Sequence, residues 1–220
     1  MAMHYPPAIF AIGRNYADHA AEMKGQTPVR PIIFMKNPAS VIGNGEPIVI
    51  PAICDEPHEQ VDYEGELAVI LGRDCRDVPA DRAVSCVAAY AVANDVSARW
   101  WQKHGSGGQF VRGKSFDTFC PVSVPVPADA IADPQSLHLV TKLNGEVVQD
   151  GNTGDMVFPV ARLIAELSQG TTLLRGTMIL TGTPAGVGMA LDPPRFLRRG
   201  DVVEVSIDGL GSLRNPVDRA

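Results

Sequence analysis

Glu64 and Glu66 stand two residues apart in the segment Asp62-Tyr63-Glu64-Gly65-Glu66-Leu67-Ala68-Val69-Ile70-Leu71. On a strand this spacing sends both carboxylates to one side and Leu67, Val69 and Leu71 to the other. Neighbouring carboxylates repel unless a cation lies between them, and a divalent ion removes the repulsion. Asp95 closes the apolar run 87–94, where an adjoining strand would finish, and offers a third oxygen. Three hard oxygen ligands without a thiolate favour Mg²⁺ or Mn²⁺, with Ca²⁺ a further candidate. By spacing alone the commoner arrangement is a solvated edge strand with two surface glutamates and a turn aspartate, and the metal centre is the competing reading.

His19 and Glu22 fall three apart in a helical segment, so both side chains can address one water, and a carboxylate beside an imidazole raises its basicity. The plain alternative is an exposed i, i+3 pair. Arg99 and Gln102 share a helical face after Asp95 and suit a carboxylate and a carbonyl, while Trp100 and Trp101 read as packing. Residues 108–115 match the GxxxxGK[ST] pattern of a phosphate loop. Such a loop must follow a strand and open a helix, whereas a Gly-rich stretch precedes this one and Pro121, Pro125 and Pro127 follow. The nucleotide reading is therefore rejected, and Lys114 becomes a candidate cation for an oxyanion or a carboxylate. His4, His104 and His138 read as surface or packing residues, and His58 stays undecided.

These groups need a scaffold that brings distant segments together. A length of 220 residues, 45% of them hydrophobic, suits one domain with a sizeable core and a small N-terminal appendage. A net charge of −6 gives no positive field for nucleic acid or anionic lipid. The longest apolar run, 86–93, is too short for a bilayer, and the N-terminus lacks a cationic leader, so cytoplasmic residence is the expectation. The four cysteines form no CxxC pair and read as reduced structural thiols. Patterning predicts a helix over 13–25 capped by Asn15 and stopped by Gly25, and strands at 48–50, 65–71, 88–94 and 178–181. It also predicts hairpins at Asn144-Gly145 and Asp208-Gly209 and an amphipathic helix over 158–167. Regular strand–helix alternation is missing, which favours an α+β fold of mixed or antiparallel sheet with short helices.

Six blocks run in order along nearly the whole chain. They are Gly13-Arg14-Asn15-Tyr16 with Asp18-His19, Lys36-Asn37-Pro38-Ala39-Ser40, 62–67, 94–99, 113–118 and 181–188. Together they resemble the fumarylacetoacetate-hydrolase-like family, in its short acylpyruvase or fumarylpyruvate hydrolase branch. The resemblance implies a mixed β-sandwich roll with short helices, in which residues 1–45 supply an N-terminal strand and a lid helix, usually a homodimer, and a role in breakdown of aromatic compounds. It implies Glu64, Glu66 and Asp95 as ligands of Mg²⁺ or Mn²⁺ and His19 with Glu22 as the water-activating dyad. Arg99, Gln102 and Lys114 are implied to bind substrate and stabilise charge, and Thr183 to belong to a carboxylate-binding loop. Ser123-Val124 depart from the Gly-Pro that often follows Cys-Pro in that family, which bears on substrate size. The implied reaction is metal-dependent hydrolysis of the C3–C4 bond of a 2,4-dioxo acid to pyruvate and a carboxylic acid. In it His19 and Glu22 activate water, and Lys114 steadies the charge at the 4-carbonyl. An oxaloacetate-type decarboxylase and a hydroxymuconate-type isomerase are the alternatives, since both share the enolate. A non-catalytic binding module is opposed by the intact set of acidic and basic residues.

Overall fold

The computed structural model describes residues 5–23, 25–54 and 59–220; Lys24, His4 and His58 lie outside them. In chain order the main strands are β1 (Ile9–Gly13), β2 (Ile32–Lys36), β3 (Ile48–Ile50), β4 (Gly65–Leu71), β5 (Val87–Asn94) and β6 (Val126–Pro127). They continue with β7 (His138–Leu143), β8 (Glu146–Asn152), β9 (Met178–Leu180), β10 (Val202–Ile207) and β11 (Gly211–Arg219). One sheet has the order β6-β5-β4-β9-β1-β2 and the other β8-β7-β10-β11-β3. Short helices decorate them, among them α1 (Ala17–Glu22), α2 (Phe110–Lys114) and α3 (Val160–Ser168). This is the mixed β-rich fold with short helices expected from the pattern. Among the described residues no helix is long and apolar enough to cross a membrane.

Strand alternation divides the first sheet into two unlike faces. Leu67, Val69 and Leu71 share one buried cluster with Leu139, Val203 and Val205 of the second sheet, which makes the inter-sheet core. The opposite face carries Ala68, Ala91 and Ala93 with Phe34, Cys120 and Leu180 in a separate cluster. Glu66 belongs to that same face by its even parity.

Three local expectations change on folding. The N-terminal helix begins only at Ala17, with Tyr16 at its N-cap and no capping side chain. Arg14 holds a φ of 56°, which breaks the helix, and Asn15 is buried instead of capping. Its Nδ2 donates to Phe158 O and Thr181 O at 3.0 and 2.7 Å, and its Oδ1 accepts from Phe158 N at 2.8 Å. Gly25 does close the helix, donating its N–H to Ala20 O at 2.9 Å. The Asn144-Gly145 turn has φ of 54° and 89°, as a two-residue hairpin turn requires. At the second hairpin the positive φ falls on Gly209 and Gly211, not on Asp208, because the loop takes in Leu210, which is buried. Helix α3 buries Val160, Leu163, Ile164 and Leu167, its predicted face. It starts two residues later than the pattern suggests because Pro159 holds Phe158 out of helical conformation.

Asp201 fastens the first hairpin turn to the start of β10. It accepts from Asn144 Nδ2 at 2.8 Å, Arg195 Nη2 at 2.6 Å and the Arg198 amide at 2.7 Å. Burial opposes its charge, but these donors outweigh that and hold its pKa below the usual range. The folded state thus binds fewer protons at this site than the unfolded chain, so the contribution is present above the unfolded pKa and vanishes as pH falls through the folded one. Asp201→Ala is expected to cost about 1–3 kcal/mol at neutral pH, with the difference shrinking below about pH 4. Urea unfolding of both proteins at pH 7 and pH 3 measures this, and an equal loss at both would contradict it.

Candidate active site

Strand register assembles the acidic trio. β4 and β5 pair antiparallel with Gly65 opposite Asn94, so Glu64 and Asp95 are the next pair outward, and the Asp95 amide donates to Glu64 O at 2.8 Å. Glu64, Glu66 and Asp95 are 5%, 1% and 0% exposed, and one carboxylate oxygen from each lies within 4.8 Å of the others. The solvated edge strand is excluded because β4 lies inside the sheet, between β5 and β9.

Three buried cations face this cluster. Lys114 Nζ sits 2.6 Å from Glu64 Oε2 and 2.6 Å from Asp95 Oδ2, and Lys36 Nζ lies 2.5 Å from Asp95 Oδ1. Arg99 reaches Asp62 Oδ2 at 2.8 Å and Glu64 Oε1 at 2.7 Å. Four buried carboxylates, Asp62 included, therefore meet Lys36, Arg99 and Lys114, which leaves one negative charge in excess. Glu66 is the one of the four with no ion-pair partner among the described residues, and its Oε2 accepts from the Gly182 amide at 2.8 Å. Burial, then the charges of Asp95 and Glu64, push its carboxyl pKa well above the usual range. For Glu64 burial works upward too, but Lys114 and Arg99 win and hold it well below. Three clustered carboxylates with one charge unbalanced fit a hard divalent cation.

The dyad is built on α1. His19 Nδ1 lies 2.7 Å from Glu22 Oε1, and Glu22 Oε2 accepts from the Gly186 amide at 2.8 Å. An ionised carboxylate only accepts, so Nδ1 carries the proton and Nε2 is left as the basic nitrogen. The pair is not the exposed helix pair that spacing alone favours, since His19 is buried.

His19, Glu64, Glu66, Arg99, Gln102 and Lys114 line one cavity of about 120 Å³, together with Thr183. Asp95 stands behind Lys114, and Glu22 behind His19. Arg99 and Thr183 are both engaged within the protein. The Arg99 fork is held by Asp62 and Glu64, with Nη1 also donating to Gln102 Oε1 at 3.2 Å, so the Gln102 amide nitrogen is the group left to donate. The Thr183 hydroxyl donates to Gly65 O at 2.9 Å and accepts from Gln149 Nε2 at 2.7 Å.

The apparent phosphate loop is a packing device. Its Gly113 falls in α2, against the π-helical turn Trp101–Gly105 and not after a strand. A Cβ at Gly113 would lie 2.5 Å from Gln102 N and 2.8 Å from Ala98 O, so glycine allows the close approach that carries Lys114 inward. Trp100 and Trp101 pack edge to face, and His104 and His138 are exposed. Lys36 and Asp62 are members of the charge network that motif reading passed over. Lys36 had a signal: it shares strand parity with buried Phe34, while Ile33 and Met35 are exposed.

Similarity to known proteins places this geometry. The family described as fumarylacetoacetate (FAA) hydrolase C-terminal matches residues 8–218. A protein named oxaloacetate tautomerase fahd2, mitochondrial, from Xenopus laevis is 45% identical over 213 residues, 96% of this chain, and the chain spans 66% of its length. A solved 5-carboxymethyl-2-hydroxymuconate delta-isomerase from Mycobacterium smegmatis is 41% identical with a TM-score of 0.84, over 98% of this chain and 80% of that one. A solved fumarylacetoacetate hydrolase from Exiguobacterium antarcticum is 41% identical with a TM-score of 0.87, over 100% and 80%.

Mn²⁺ is expected to raise the melting temperature of metal-free protein, by about 2.7 kcal/mol of stability at a hundredfold excess over Kd, and a chelator to reverse the gain. Glu66→Gln keeps the shape and removes the charge, and should weaken the Mn²⁺ response about tenfold or more in Kd. An identical titration curve for the variant would remove Glu66 from the ligand set.

Proposed function

This chain belongs to the fumarylacetoacetate hydrolase C-terminal family, and from that premise we propose that it moves a proton beside the oxo group of a small 2-oxo acid. The reaction interconverts enol and keto forms or shifts a double bond, as an oxaloacetate-type tautomerase or a hydroxymuconate-type isomerase does. The observation that carries this reading is the His19–Glu22 pair, a buried base whose imidazole lines the same cavity as Glu64 and Glu66. The tautomerase and the isomerase named above support it.

Glu64, Glu66 and Asp95 would hold a divalent ion, which supplies Lewis acidity to the carboxylate and oxo group of the substrate. His19 Nε2 takes the proton from the carbon beside the oxo group, and the proton ends on the oxo oxygen in the enol or on the far carbon of the dienol when the double bond shifts; Glu22 keeps the ring oriented and stabilises the imidazolium. Lys114 faces the cavity beside Glu64 and steadies negative charge on the oxo oxygen. The Gln102 amide donates to a substrate oxygen, and Arg99 holds Glu64 and Gln102 in place. A cavity of about 120 Å³ with charged walls selects a short acid over a large aromatic one.

Hydrolysis of a 2,4-dioxo acid is the second reading, favoured by the similarity to the fumarylacetoacetate hydrolase. The two differ in where His19 finds its proton, on carbon in the first and on water in the second. Freshly dissolved enol oxaloacetate and an acylpyruvate, each assayed with Mg²⁺, separate them. The expected result is accelerated loss of enol absorbance without matching pyruvate release, lowered about 10²–10⁴-fold by His19→Gln. Pyruvate release from the acylpyruvate without enol conversion would favour hydrolysis and overturn the first reading.

A further inference from the structure

The charge network leaves two cations over. Arg14 and Lys103 line the same cavity as Arg99 and Lys114. Arg99 and Lys114 are each within 2.8 Å of a carboxylate oxygen. Among the described residues neither Arg14 nor Lys103 forms an ion pair, and Lys103 Nζ reaches the Met189 thioether at 3.0 Å, a weak acceptor. The two carboxylates that line the cavity, Glu64 and Glu66, do not neutralise them: Glu64 is held by Arg99 and Lys114, and neither carboxylate reaches Arg14 or Lys103 within ion-pair distance.

Arg14 is held in place by its surroundings. It is half-buried and adopts a φ of 56°, a left-handed conformation that glycine or asparagine would take more readily. Its side chain lies under the end of α1. A Cβ at Gly25 would sit 2.7 Å from Arg14 Nη1 and 3.0 Å from Cζ, so the bare backbone there closes over the guanidinium. Strained backbone at a cavity wall, kept for a charged side chain that nothing in the described protein neutralises, marks a binding position. Lys103 lies in the same field: burial of part of its side chain, then the neighbouring charges of Arg99 and Arg14, lower its pKa, and an anion bound between them would relieve that repulsion.

We propose that Arg14 and Lys103 form a second carboxylate subsite, so that the preferred substrate is an oxo-diacid whose far carboxylate they bind while its oxo-acid end faces Glu64, Glu66 and Asp95. This rests on the oxo-acid reading above. It makes Arg14 and Lys103 specificity-determining residues, which separate diacids from monoacids of equal length by charge and not by shape.

Matched, non-reacting ligands test the subsite without turnover. Malate and 2-hydroxybutyrate share a four-carbon skeleton and differ in the terminal group, carboxylate against methyl. Their affinities are read from melting-temperature titrations of the Mg²⁺-loaded protein, a method that tolerates weak binding. The native protein is expected to favour malate by about tenfold or more, and Arg14→Gln to reduce that preference about tenfold, with partial recovery in Arg14→Lys. Lys103→Gln, at an exposed position with little bearing on folding, is expected to reduce it severalfold, which keeps the test valid if an Arg14 variant is unstable. An unchanged preference in the variants, or an equal loss of both ligands, would overturn the subsite. A protein that shows the preference but converts no oxo acid would overturn the proposed reaction and leave the subsite standing.

Discussion

Four carboxylates buried against three cations at one end of a sheet set the terms for the rest of this molecule. In a low-dielectric interior an unpaired carboxylate is costly, and paired charges must be held in good geometry to offset their lost hydration. Lys36, Arg99 and Lys114 meet this demand for Asp62, Glu64 and Asp95 through contacts of 2.5–2.9 Å. Glu66 is left with a backbone amide and two like-charged neighbours. The cluster has the electrostatics to hold a cation, and the three side-chain cations that surround it come from three separate segments.

The scaffold follows from this requirement. A central strand in a six-stranded sheet carries Glu66, with Glu64 and Asp95 at its end, and the small alanines on that face pack closely under Phe34 and Leu180. Asp62 accepts from Arg99 and from the amides of Gly188 and Met189, so one buried carboxylate ties the 181–188 loop to the guanidinium that grips Glu64. Glu22 performs the same service at the other side of that loop through Gly186. His19 with Glu22 and the acidic trio, which lie on elements distant in sequence, are therefore both referenced to one loop.

Much of this was legible from residue order. Strand parity put Glu64 and Glu66 on one face, the apolar run ended at Asp95, and β4 has the bounds its pattern suggests. The GxxxxGK[ST] string was open to rejection because its flanks lacked a strand and a following helix. What the pattern could not reveal was which polar side chains would be spent internally. Asn15 has the composition of a cap and is a buried clamp, and Thr183 sits in a binding-type loop with its hydroxyl committed to Gly65 and Gln149. A hydrogen bond to a residue 143 positions away leaves no trace in local spacing.

Period, parity and turn chemistry act over a few residues, so the sequence by itself determined several of the strands, the Asn144-Gly145 hairpin, the amphipathic helix and the pairing of Glu64 with Glu66 on one side. Whether that side faced water or the interior depended on which strands flanked it, and only the tertiary structure decided that. The same holds for the sign of the site. Lys36, Arg99 and Lys114 are ordinary cations in the chain and became counter-ions because sheet register and the close approach at Gly113 brought them within contact distance, while Arg14 and Lys103 were left facing the cavity. Electrostatic energy depends on separation and on exclusion of water, and both are properties of the folded state.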